Sequence, residues 1–431
     1  MLHLQGTKTG DKYIEMHTQK MLYLLIGLLL IALPVSAQDS QNWFIYLFDS
    51  IDYNLIRVDS NGNIKTFSLG IDEQHYTGFN QMTISQDGTL VGFCMESYTQ
   101  TMQPGQKTVI VRDIINETNI FSQDYGNPYG CSVSAFNEDN SQIAVSLVNE
   151  LPYMPDFVDT PAPTWELQLV DITTGYSTND LVYYVSDMPE ASPFGGDVPL
   201  LADVRLFNDE TVRFAGMPYL GVDGPPEVPV YEWNLTSGSI RKMPVETGRM
   251  NNDYLPTTGE LAYPALDESL DAVFPGGPML QANLVKIRDN EGQSSTVYQN
   301  EEWVIAGVKF INDGQSLAIS LLGAWDDNNP ELSAKARYEV LNRDGSIQQI
   351  DASFEGYKEI ASVPGGAVLT WTINPTAAGY QPTYVAYWDG SSLNTIVEFT
   401  PEYQRGFSPP MLIWSATIGS ESSIPQFAAI Q

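Results

Sequence analysis

Histidine, cysteine and cationic side chains are scarce in this chain of 431 residues. Of three histidines only His75 lies beyond residue 37, and cysteine occurs twice, at Cys94 and Cys131. That supply excludes a zinc centre of the Cys/His type. It also leaves a serine or cysteine nucleophile without a histidine base, and no G-x-S-x-G occurs. Lys and Arg number 20 against 53 Asp and Glu, a net charge of −33. Such a surface repels nucleic acid and anionic membranes. No low-complexity run or block of like charge is present, so extended disorder is not expected.

Long apolar runs are absent but for one. Leu22 to Val35 follows Lys20 and precedes Ser36-Ala37. It reads as the hydrophobic region of a secretory signal with a small-residue cleavage site, and it is too short for a comfortable membrane span. Residues 1–37 are therefore assigned to a signal peptide, with Met16 or Met21 as alternative starts, and 38–431 to one domain. Without Lys8, Lys12, Lys20, Asp11 and Glu15, the remaining chain holds 17 bases and 51 acids. The expectation is a secreted or periplasmic monomer with no membrane span after signal cleavage.

What the chain has in plenty is hairpins. FINDGQSLAISL (310–321) puts an Asn-Asp-Gly turn between two apolar runs, and MTISQDGTLVGFCM (82–95), SAFNEDNSQIAVSL (134–147) and VRLFNDETVRFAG (204–216) repeat it. A second hairpin type, such as LIRVDSNGNIKTF (55–67), occurs seven times. Its turns fall at Gly62, Thr118, Gly175, Gly238, Gly292, Gly345 and Gly390, with steps of 56, 57, 63, 54, 53 and 45 residues. A step of that size holding four short strands is one propeller blade. The prediction is all-β: a seven-bladed β-propeller of four-stranded antiparallel blades, with six or eight blades as alternatives. Residues 42–48 and 411–417 would share one blade, the C-terminal strand innermost, and so remove open edges.

These inner hairpins resemble the WD40-like repeats of TolB-type propellers, whose hairpin reads roughly F-S-P-D-G-x-x-[IL]-[AV]-[FY]. The array covers about residues 42–418, although Pro is missing before Asp and small residues replace the terminal aromatic. The resemblance implies an exported propeller that binds other proteins.

Consecutive strands alternate in direction, so second-to-third connections and blade crossovers share one end. Those connections are long, and the opposite turns are tight. Extra sequence on one end marks a binding face. Its candidate anchors are Tyr153, Phe157, Trp165, Tyr219, Phe274 and Trp325; the competing reading, favoured for any one of them alone, is that it covers a blade edge as satellite core. The partner class is a protein or polysaccharide in the envelope or outside the cell. A carbohydrate-active enzyme, glycoside hydrolase or lyase, with funnel carboxylates is the alternative. No cofactor is expected. Calcium is left open at Asp59–Asn63 and Asp326–Asn329, which supply only fragments of a binding loop. Cys94 and Cys131 are either a disulfide or two buried thiols. His75 reads as a solvated loop residue. Asn116-Glu117-Thr118 and Asn234-Leu235-Thr236 are glycosylation sequons on exposed turns.

Overall fold

The computed structural model describes residues 43–49, 52–78, 81–99, 105–128, 130–148, 165–183, 203–215, 230–242, 252–255, 257–265, 282–323, 336–350, 358–372, 383–399 and 411–415. Residues 1–37, and with them the signal segment, lie outside this set. So do Asp326–Asn329. Among the described residues no helix is long and apolar enough to cross a membrane.

The strands form seven antiparallel sheets, the blades of a β-propeller. Blade 1 joins β1 (Phe44–Asp49), β2 (Asn54–Asp59) and β3 (Ile64–Ser68) to the last strand, β29 (Met411–Ser415). Blade 2 holds β4 (His75–Tyr76), β5 (Met82–Ile84), β6 (Leu90–Ser97), β7 (Lys107–Asp113) and β8 (Thr118–Gly126). Blade 3 runs β9 (Gly130–Phe136), β10 (Gln142–Val148), β11 (Trp165–Asp171) and β12 (Ser177–Tyr183). Blade 4 runs β13 (Asp203–Phe207), β14 (Thr211–Ala215), β15 (Val230–Asn234) and β16 (Ile240–Lys242). Blade 5 runs β17 (Asp253–Leu255), β18 (Glu260–Ala265), β19 (Leu284–Arg288) and β20 (Ser294–Gln299). Blade 6 runs β21 (Trp303–Ile311), β22 (Ser316–Gly323), β23 (Ala336–Asn342) and β24 (Ile347–Ile350). Blade 7 runs β25 (Lys358–Val363), β26 (Gly366–Thr372), β27 (Thr383–Trp388) and β28 (Leu393–Glu398).

The inner strands meet in ring order, β29–β5–β9–β13 and β17–β21–β25–β29. Arg205 on β13 reaches the Asn252 carbonyl beside β17 at 3.2 Å and closes the circle. The expected strand exchange is observed: β1 pairs with β29, Ile45 opposite Ser415 and Phe48 opposite Met411.

A propeller buries both faces of each blade, and the opening hairpin demonstrates it. Leu317 and Ile319 pack with Val285 and Ile287 of blade 5. Ala318, between them, faces Ala367 and Leu369 of blade 7. Alternation by two residues thus sends successive side chains into successive inter-blade cores. Between blades 2 and 3 that core holds the Cys94–Cys131 disulfide, whose Cα atoms are 5.8 Å apart.

The tight turns explain part of the acid excess. At or just after the end of the third strand of every blade stands Asp or Asn: Asp59, Asp113, Asp171, Asn234, Asp289, Asn342 and Asp389. In most of them a side-chain oxygen accepts backbone N–H groups of the turn, as Asp59 does from Asn61 and Asn63 and Asp389 from Ser391 and Ser392. Asp59, the first residue of the Asp59–Asn63 calcium fragment left open above, has its Oδ1 engaged by its own turn.

These bonds favour the charged carboxylate. The Asn116 N–H holds Asp113 below the usual range and the Thr174 N–H does so for Asp171. The Ser392 N–H, with smaller contributions from neighbouring groups, brings Asp389 down to about 2. A depressed folded pKa contributes stability that is complete above the unfolded value of about 4 and is lost as pH falls towards the folded one. Acidification from neutrality first relieves repulsion among the excess acids. The melting temperature is therefore expected to rise or hold down to about pH 4–5 and to fall steeply below it. A scanning-calorimetry series across pH checks this; a melting temperature still rising at pH 3 would contradict the capping account.

Six of the seven outer turns place glycine in the left-handed region, Gly62 at φ 78° among them. Blade 2 forces Glu117 there, at φ 52°. Left-handed backbone costs a non-glycine residue about 1–2 kcal/mol. Glu117→Gly is expected to stabilise the protein by about 0.5–1 kcal/mol after the added unfolded-chain entropy. Denaturant midpoints of the two proteins decide it.

Candidate functional site

One end of the ring collects the second-to-third connections and the blade crossovers. Tyr53 lies in the β1–β2 connection, Tyr76 on β4 in the crossover into blade 2, and Tyr98 directly after β6. All three therefore reach the same end. The inner strand of blade 2 makes this meeting possible because it is split. Both β4 and β5 pair with β6, and residues 77–81 separate them. Thr77 anchors the break by donating to the Cys94 carbonyl at 2.7 Å, and the Gly78 N–H donates to Gln81 Oε1 at 2.7 Å.

The tyrosines form one cluster. The rings of Tyr76 and Tyr98 have centroids 4.8 Å apart and planes tilted by 36°. The hydroxyls of Tyr53 and Tyr98 are 3.4 Å apart. Tyr53 also leans on Phe48, centroids 6.5 Å apart. Burial, with the Tyr98 hydroxyl beside it, pushes the Tyr53 phenol up to about 12. Tyr76 is raised by burial and then by its hydrogen bond to the Glu96 carboxylate. The Tyr53 and Tyr76 phenols are therefore neutral donors at neutral pH.

Beneath them lies a charged row. The register sets Tyr76 opposite Glu96 and Glu96 opposite Lys107, one line across three strands. Glu96 takes the Tyr76 hydroxyl, the Lys107 ammonium and the Gly105 N–H at 3.1 Å. Lys107 is 1% exposed and Glu96 12%, so the pair is internal and serves as a rigid floor. Gly105 is required there by close approach: a Cβ would stand 2.0 Å from the Ser97 carbonyl oxygen. The connection is pinned at both ends, with Ser97 N–H donating to the Gln106 carbonyl at 3.0 Å and Tyr98 N–H to the Gln74 carbonyl at 2.8 Å.

The rim is acidic. Asp72 is 66% exposed, accepts the Gln74 N–H at 2.9 Å and stands 2.6 Å from His75 Nδ1. His75 is thus not the solvated loop residue expected from sequence. It belongs to β4, opposite Ser97, and its side chain is 28% exposed. Tyr98 is 60% exposed, an unusual position for a large aromatic ring that other rings already hold in place.

A second aromatic group occupies the same end between blades 5 and 6, and it is closed upon itself. Arg337 lies 4.4 Å over the Trp303 ring and pairs with Glu339 at 2.7 Å. Tyr298 donates to Glu339 at 2.6 Å and accepts from Asn300 at 2.8 Å.

Of the anchors expected from sequence, Tyr153, Phe157, Tyr219, Phe274 and Trp325 lie outside the described residues. Trp165 opens β11 rather than ending a loop, its backbone opposite Tyr183. Among the described residues no group of three or more His, Cys, Asp or Glu is arranged to hold a metal.

No protein-family model matches the chain, and no curated protein matches it significantly. Similar solved structures include the following three. The β-propeller domain of the trilobed protease from Pyrococcus furiosus, described as having an open velcro topology, is 12% identical with a TM-score of 0.47, over 83% of this chain and 93% of that one. Acylaminoacyl peptidase from Pyrococcus horikoshii is 11% identical with a TM-score of 0.46, over 83% of this chain and 52% of that one, so the chain spans about half the peptidase's length. TolB from Acinetobacter baumannii is 12% identical with a TM-score of 0.38, over 72% of this chain and 63% of that one.

Proposed function

We propose that this protein is an exported, non-catalytic propeller that holds a protein or extended polymer on its long-connection end. The observation that carries the reading is the tyrosine cluster at the junction of blades 1 and 2. There an exposed ring stands on a floor fixed by an internal ion pair, so little side-chain freedom is lost when a partner covers it. The opposite end, made of self-capped turns, serves as scaffold. Export to the periplasm or beyond fits the apolar segment at 22–35 and a disulfide within the fold. That the carboxylates of Glu96 and Asp72 are engaged by Lys107, Tyr76 and His75 supports a binding role over a catalytic one.

The test is selective capture. The purified chain and its Tyr53→Ala/Tyr98→Ala variant are immobilised, and native envelope and secreted extract is passed over both. The expected result is a partner bound about 30-fold more weakly by the variant, the loss of about 2 kcal/mol usual for a central aromatic anchor, at an unchanged melting temperature. Equal retention by both proteins would sink the reading, as would cleavage of soluble oligosaccharides by the same preparation.

A further inference from the structure

We infer that the Tyr53–Tyr76–Tyr98 cluster receives a cationic side chain, an arginine above all, presented by a protein partner; this rests on the long-connection end being the binding face. A tyrosine ring carries a negative face, and a guanidinium placed over it within about 6 Å gains about 0.5–2 kcal/mol. The protein uses this contact repeatedly on itself. Arg57 lies over Phe44 and Phe67, Lys65 over Phe67, Arg213 over Tyr254 and Arg337 over Trp303, at 4.4 to 5.6 Å. Among the described residues, the three tyrosines at the blade 1–2 junction have no such cation. Yet theirs is the most accessible of these aromatic groups, with Tyr98 60% exposed.

The charge around the rings points the same way. The local lysine, Lys107, is 1% exposed and paired with Glu96, so it cannot turn outward to the rings. The rim bears Asp72, 66% exposed, and beside it the exposed Glu73. Across the chain, acids outnumber bases 53 to 20. A guanidinium entering here meets ring faces below and carboxylates at the edge and is attracted by both through its charge; a neutral sugar has no charge to match and an acidic peptide is repelled. The rings are set in advance by the Tyr53–Tyr98 hydroxyl contact and the Tyr76–Glu96 hydrogen bond.

The probe is a short, end-blocked glycine–serine peptide with one arginine, titrated into the full chain and followed by tyrosine NMR shifts. Its counterpart carries citrulline, which keeps the shape and removes the charge. The arginine peptide is expected to saturate the shifts, with citrulline at least about fivefold weaker and Tyr98→Ala about tenfold weaker. Tyr98→Phe, which keeps the ring face and gives up only the hydroxyl contact with Tyr53, should bind far closer to the parent than Tyr98→Ala does. Asp72→Asn with Glu73→Gln should weaken binding and reduce its salt dependence. Equal binding of the two peptides overturns the proposal, and so does a Tyr98→Phe loss as large as that of Tyr98→Ala. If neither peptide binds but the partner in the capture experiment is still lost from Tyr53→Ala/Tyr98→Ala, the cation reading falls and the face stands. If the partner is held equally by parent and variant, the face itself is misassigned.

Discussion

A chain ended at residue 410 should lose on the order of 5 kcal/mol or more, a large part of any domain's stability. The missing strand, β29, is the innermost of blade 1 and holds β1 along its inner edge. Ile45, Tyr46, Leu47 and Phe48 of β1 are each 0% exposed. Without β29 the ladder bonds, worth about 0.5–1.5 kcal/mol each, disappear, and the inner edge of β1 opens. The contacts of β29 with its ring neighbours β5 and β25 go with it, so the ring loses closure at one point and cooperativity everywhere. The measurement is the denaturant midpoint and the monomer fraction of the truncated protein. A peptide of residues 409–418 added in trans should recover part of both. An unchanged midpoint would mean that the exchange is incidental to the fold.

The second large effect concerns a buried ion pair at the tight-turn end. Arg343 and Glu260 are 5% and 7% exposed, and two parallel bonds of 2.8 and 2.7 Å join them across blades 5 and 6. Arg343 also donates to the Gly314 carbonyl at 2.9 and 2.8 Å. That carbonyl ends a turn in which Asn312, Asp313 and Gly314 all have positive φ, an arrangement that needs outside support. A Cβ at Gly314 would meet Leu255 at 2.4 Å, so the turn has no slack towards blade 5. Glu260→Gln leaves a buried guanidinium without its counter-charge and is expected to cost about 3–5 kcal/mol. Glu260→Leu with Arg343→Met should recover most of that, leaving about 1 kcal/mol for the unsatisfied Gly314 carbonyl. Chemical denaturation of the three proteins gives the comparison. If the double variant is worse than the single one, the pair is a net stabiliser.

The blade count was legible because the outer hairpins recur at steps of 45 to 63 residues and six of the seven keep a glycine in the turn. The closure was legible from a missing inner hairpin and a spare strand at each end. One further regularity stood open in the text: the Asp or Asn closing each third strand, in VD at 58–59, WN at 233–234 and WD at 388–389. It says more about the acid excess than any count of charges. The tyrosine cluster was not legible in the same way. Tyr98 fell within a connection recognised as long, but Tyr53 sits in a short one and Tyr76 in a crossover. Their meeting depends on the split inner strand of blade 2, which puts β4 beside Ser97 and Glu96. A two-residue strand leaves no periodicity to read. The buried Lys107 was equally hidden, since burial of a lysine follows from its cross-strand neighbour and not from its flanking sequence.

The strand exchange has one more consequence, for orientation. The first residues of β1 lie opposite the last of β2, Phe44 against Asp59, and beside the last of β29, Ile45 against Ser415. The chain therefore enters and leaves the ring at its tight-turn end. Whatever is attached ahead of β1 or behind β29, whether an affinity handle, a fused domain or a solid support, is joined at the pole opposite Tyr98. A chip or bead coupled directly before Trp43 or directly after Ser415 would display the tyrosines outward.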